Sequence, residues 1–149
     1  DGPLLRATVR AAERGVEVRI LVSGAWYVAE ENAALVEWLN GVAKRRDLPL
    51  TARVAEPAGR YEKIHAKGVV ADGVVVVGSL NWNENAASEN REVALAVRSE
   101  TLATYFSETF VADWRGGGRV GRTTWVVVAG ALAALVLAVV VARKTIRFA

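Results

Sequence analysis

The chain has 149 residues, 52% hydrophobic and 23% charged, which excludes a disordered polyampholyte and leaves room for one domain plus an appendage. It has no cysteine and one histidine, so disulfides, thiolate metal sites, cysteine nucleophiles and multi-imidazole metal sites within one chain are excluded. The formal charge is +3, but residues 1–114 hold all 16 acids and only 13 of the 19 bases; the basic excess belongs to the C-terminal end, and a globular part at −3 makes a poor general grip for a polyanion. No methionine is present, even at position 1, which points to a fragment or a processed product.

Taken in chain order, residues 1–114 alternate helix and strand. Pro3 to Arg14 reads as a helix with Leu4, Leu5, Thr8, Val9 and Ala12 on one side, stopped at Gly15. Val16 to Val22 reads as a strand. Glu30 to Arg46 reads as a longer helix, with Leu35, Trp38, Leu39 and Val42 at helical spacing, acids at its start and Lys44, Arg45 and Arg46 at its end. Leu50 to Ala55 is a short strand. Lys63 to Ala71 and Val74 to Ser79 form a hairpin around Asp72-Gly73. Glu92 to Arg98 is another strand and Glu100 to Trp114 the last helix. The order predicts an α/β fold (an α+β sandwich), a mixed β-sheet flanked by helices.

The character of the chain then changes. Residues 115–122, RGGGRVGR, read as a flexible Gly/Arg tether whose arginines suit anionic head groups. Residues 123–142, TTWVVVAGALAALVLAVVVA, carry no charge; at about 1.5 Å per residue they reach roughly 30 Å, the thickness of a bilayer core, and predict a transmembrane helix. Residues 143–149 are a basic tail. Three basic residues flank the run on each side, giving no vote under the positive-inside rule. Arg143-Lys144 abuts the run directly, which places the folded part on the extracytoplasmic side of the membrane.

The chemistry concentrates in His65-Ala-Lys67-Gly-Val-Val-Ala-Asp72, then Gly78-Ser79-Leu80-Asn81 and Asn90-Arg91-Glu92. Residues two apart in a strand face one way, so His65 and Lys67 share a face, as do Ser79 and Asn81. A neutral imidazole can attack phosphorus while an ammonium and a carboxamide hold the equatorial oxygens. A carboxylate on the other ring nitrogen would fix the tautomer, and Glu92 is the candidate. Each residue alone has a plainer reading: a packed histidine, a solvated lysine, turn residues, and the Asp of an Asp-Gly turn. The joint spacing favours the chemical one.

His-x-Lys-(x)4-Asp followed by Gly-Ser-x-Asn resembles the signature of the phospholipase D superfamily, over roughly residues 1–114. The resemblance implies that His65 is a nucleophile forming a phosphohistidine, that Lys67 and Asn81 hold phosphate oxygens with Ser79 supporting them, that Glu92 orients the histidine, and that Asp72 is structural. It implies no metal or organic cofactor. Two departures matter. Five residues rather than the family's usual six separate Asp72 from Gly78, and a two-residue Asp72-Gly73 loop would put Ser79 and Asn81 on the face away from His65. A three-residue loop, Ala71-Asp72-Gly73, is therefore expected, pairing His65 with Ser79. The family also builds one site from two motifs, and this chain has neither a second histidine nor the strand that precedes the first helix. The expected partner is a missing N-terminal half or a second copy in a homodimer. The leading reading is a membrane-anchored phosphodiesterase acting on phospholipid by hydrolysis or transfer, with nucleic acid less favoured as substrate. A nuclease and a non-catalytic phosphate-binding membrane module are the alternatives. Trp26 and Tyr27 line the mouth of the site or touch the interface, unless they pack under a loop; Arg60, Tyr61 and Lys63 flank the entrance, unless they are ordinary loop residues without a function.

Overall fold

The computed structural model describes residues 2–55, 61 and 63–116. The expected tether beyond Gly116, the apolar run and the basic tail lie outside them. Among the described residues no helix is long and apolar enough to cross a membrane.

Helix α1 spans Pro3–Glu13, with Pro3 in the first turn, where its missing N–H costs nothing. It stops where the sequence says it should. Gly15 takes a φ of +89°, its N–H donates to the Ala12 carbonyl, and the Val16 N–H reaches the Ala11 carbonyl, the paired closure of a Schellman ending. Strand β1 (Val18–Ser23) runs parallel to β2 (Leu50–Ala55), from Val18 opposite Leu50 to Ser23 opposite Ala55. Between them lies α2 (Ala29–Arg46), with Glu30 and Glu31 in its first turn and three basic residues in its last. Leu5, Ala12, Leu39, Ala43, Leu50 and Ala52 form the core where α1 and α2 cover this pair of strands. Trp38 does not join them. It is 44% exposed and lies with Leu5, Arg6, Val9 and Arg10 along a shallow groove, so the apolar stripe read from α2 includes one residue that faces solvent.

Strands β3 (Gly68–Ala71), β4 (Val74–Gly78) and β5 (Ala94–Arg98) form an antiparallel sheet in that order. A short helix α3 (Glu84–Ser88) leads from β4 towards β5, capped by the Asn83 side chain accepting from the Ala86 N–H at 2.8 Å. Helix α4 (Glu100–Trp114) opens on Ser99, whose hydroxyl accepts from the Leu102 N–H at 3.3 Å. It packs across β3 and β4 and reaches β2, joining the two sheets.

The α/β class therefore stands, and both kinds of strand pairing occur. However, the described strands fall into two ladders rather than the single mixed sheet expected. One physical reason is visible at β2. Its Ala52 N–H and C=O point away from β1, where a further strand would bond. Asn40 of α2 takes both, accepting at 2.8 Å and donating at 3.0 Å. A side chain thus closes that edge at this residue.

The hairpin also differs from expectation. Ala71 pairs with Val74, so the loop is two residues, Asp72 and Gly73, with φ of 50° and 73°. Two successive positive φ angles are what a type I′ turn requires, and its twist matches that of the strands it joins. The alternative loop would have slipped β4 by one residue and turned Val75, the buried centre of this sheet opposite Val70 and Val97, to the other face. Core packing overrides the parity on which the expected site depends.

Candidate active site

The site is built at the open end of the hairpin, opposite the turn. β3 begins only at Gly68. Residues 63–67 precede it without regular strand pairing, although the Gly78 N–H still donates to the Lys67 carbonyl at 3.4 Å. Lys67 thus sits across from Gly78. Continued in the same register, His65 would oppose Leu80, not Ser79. Sheet parity does not bring His65 beside Ser79 and Asn81, and the pairing expected of a three-residue loop is absent.

What assembles the site is the junction of β4 with β5. A Cβ on Gly78 would collide with the Val93 carbonyl and the Ala94 Cα, so glycine is what allows β5 to approach this closely. Ser79 then fastens the junction. Its N–H donates to the Val93 carbonyl at 2.9 Å, and its Oγ accepts from the Val93 N–H at 3.1 Å. The same hydroxyl donates to the Glu92 carboxylate, whose other oxygen accepts from Asn90 Nδ2 at 3.1 Å. Ser79 is accordingly a positioning residue for Glu92 in this arrangement.

Electrostatics ties Lys67 to this cluster. The Glu92 carboxyl is held below the usual carboxylate range, chiefly by the Ser79 hydrogen bond, then by Asn90 and the Lys67 charge, with partial burial opposing. The Lys67 ammonium is pulled below the ordinary lysine range, chiefly by loss of solvent around a half-buried side chain. Glu92 opposes that shift and Lys63 adds to it. Lys67 Nζ also donates to the His65 carbonyl at 2.9 Å, which pins the backbone of the histidine segment to the cluster.

Of the residues singled out from sequence, Lys67, Ser79 and Glu92 are therefore brought together. His65 is exposed, and its imidazole has no hydrogen-bond partner among the described residues; Glu92 bonds Ser79 and Asn90 instead of the ring. Asn81 is exposed just after β4. Asp72 sits at the turn, the far end of the hairpin, where it serves the backbone through its left-handed conformation. Asn90 is a site residue to which sequence reasoning gave no role; its two-residue spacing from Glu92 was the available signal. Among the described residues, no three of the His, Cys, Asp and Glu side chains cluster as metal ligands would.

The fold and cluster define an α/β domain with a lysine–carboxylate pair and an exposed histidine two residues before the lysine, and the comparisons agree on its class. The family described as "Cardiolipin synthase, PLD-like domain" matches residues 1–114. Phospholipase D Z of Dictyostelium discoideum is 26% identical over 120 residues, covering 75% of this chain and 28% of that protein. Mitochondrial cardiolipin hydrolase of Xenopus tropicalis is 30% identical over 113 residues, covering 75% and 49%. Among solved structures, that of Nuc, a phospholipase D family member from Salmonella typhimurium, superposes with a TM-score of 0.59 at 26% identity, covering 78% of this chain and 72% of that one. The chain belongs to the PLD-like domain family, within the phospholipase D superfamily of phosphodiesterases. It spans about a quarter to a half of the length of these two curated relatives.

Proposed function

We propose that the chain is a membrane-anchored phosphodiesterase that cleaves or transfers the phosphodiester of a phospholipid through covalent attachment to His65. The observation that carries this reading is the Lys67–Glu92–Ser79 cluster, with Lys67 Nζ bonded at 2.9 Å to the backbone carbonyl of exposed His65. A ring nitrogen of neutral His65 attacks phosphorus, a P–N bond forms, and the P–O bond to the leaving alcohol breaks. Lys67 neutralises the oxygens that gain charge, and Asn81 adds a hydrogen bond to them. Water or an acceptor alcohol then attacks phosphorus and frees the ring.

The leaving alkoxide needs a proton, and the chain's one histidine is already spent as the nucleophile. A second motif, from a further segment or a second copy, supplies that proton in this proposal. Val93 and Leu95, 75% and 61% exposed beside Glu92, offer it an apolar seat. Two features favour phospholipid as the substrate: the uncharged run of residues 123–142, which would hold the domain at a bilayer, and the net −3 of residues 1–114. The test compares the full-length chain with His65→Ala on phosphatidylglycerol vesicles and on single-stranded DNA. Turnover of lipid that His65→Ala abolishes supports the proposal; faster turnover of DNA, or lipid turnover that survives the substitution, overturns it.

A further inference from the structure

Trp26 is 89% exposed, an unusual state for the largest apolar side chain in a folded domain. It meets Tyr27 edge-to-face with centroids 5.6 Å apart, and Lys63 Nζ lies 5.3 Å from the centre of the Tyr27 ring. Tyr61 is 46% exposed two residues before Lys63. Aromatic rings with polar tips and a neighbouring cation are the composition that partitions to a lipid–water boundary.

Position says what covers this rim. Strands β1 and β2 are parallel, and their C-terminal ends lie together, with the Gly24 N–H donating to the Ala55 carbonyl at 2.9 Å. Trp26 and Tyr27 follow β1 there, and Tyr61 and Lys63 come from the chain after β2. The last residue of α4 arrives at the same end. Arg53, two residues before the end of β2, stacks 4.4 Å from the centre of the Trp114 ring and donates to its carbonyl at 3.3 Å. Eight residues separate Trp114 from Thr123, a reach of at most about 30 Å even fully extended. The aromatic rim and the start of the route to the apolar run therefore share one end of the parallel strands.

We infer that the Trp26–Tyr27–Lys63 rim is a membrane-docking surface, with Trp26 entering the head-group boundary of an anionic phospholipid bilayer and Lys63 facing its phosphates. The inference rests on the proposed anchoring by residues 123–142 and adds which face of the domain meets the lipid. Lys63 also acts electrostatically on Lys67, so docking sets the active-site cluster close to the bilayer surface.

The absence of native cysteine makes the test clean. Full-length Trp26→Cys, and Glu17→Cys as a control at the opposite end of β1, are each labelled with an environment-sensitive fluorophore. Both are reconstituted in equimolar phosphatidylcholine and phosphatidylglycerol. Quenching by brominated lipid several-fold stronger at position 26 than at 17, and weaker in pure phosphatidylcholine, is expected. Equal quenching at the two positions, or protection of the label by a single-stranded oligonucleotide rather than by lipid, overturns the inference. The unlabelled Trp26→Ala chain supplies an independent reading: its rate on vesicle phospholipid relative to its rate on a soluble phosphodiester should fall several-fold, and an unchanged ratio counts against docking. The quenching does not depend on catalysis, so a chain that docks but turns over no lipid would refute only the proposed function.

Discussion

Lys67 is the residue whose chemistry depends most on its neighbours. Its ammonium is below the ordinary lysine range through partial desolvation, Glu92 holds it up, and Lys63 pushes it down. The signs give a prediction. Glu92→Gln lowers the Lys67 titration midpoint and Lys63→Gln raises it, both readable from the lysine ε-carbon resonance against pH. In the proposed mechanism the charged amine neutralises phosphate, so the alkaline fall in activity should move the same way. Ser79→Ala should raise the Glu92 pKa, since its largest stabilising hydrogen bond is lost, and should speed amide exchange at Val93. That Lys67, Ser79 and Glu92 meet was legible in the sequence, because their spacing with His65 and Asn81 is chemically distinctive. Their bonding was not. Whether Glu92 meets an imidazole or a hydroxyl depends on where β5 begins, and that follows from the close approach allowed at Gly78.

The elements themselves were largely written in the pattern. The last helix is found at Glu100–Trp114 and the second strand at Leu50–Ala55, the bounds read from the sequence, because caps, charges and apolar spacing agreed. The hairpin loop has two residues, not the three that the site chemistry calls for, because packing sets the register. Asp72-Gly73 favours two positive φ angles, and that register also keeps Val75 inside. The division into two ladders was invisible in the sequence. A single asparagine on a helix gives no sign that it will cover a strand edge. Its value can be measured. Asn40→Ala leaves the N–H and C=O of buried Ala52 without their partner, and a loss of about 2–3 kcal/mol in unfolding free energy is expected in denaturant titration. Gly78→Ala should cost about 1–3 kcal/mol through overpacking against the backbone of β5, with site activity lost alongside.

At the scale of the whole molecule, α4 is the link between the two sheets and, through Trp114 and Arg53, the link to the sequence that follows. The charge split along the chain, acids confined to residues 1–113 and an uncharged run after residue 122, is the feature from which anchoring was read. Removing residues 123–149 should move the protein from the membrane fraction to the supernatant on ultracentrifugation, while the circular dichroism of residues 1–114 is retained. The source of the second proton carrier that the proposal calls for was not legible, since the sequence holds one histidine and the proposal spends it as the nucleophile. The central claim, covalent attachment at phosphorus, is tested most directly by trapping. The full-length chain is incubated with phosphate-radiolabelled phosphatidylglycerol, quenched in alkali and digested. An acid-labile label on the peptide carrying His65, absent from His65→Ala, is the predicted result. Phospholipid turnover with no label on that peptide would contradict it.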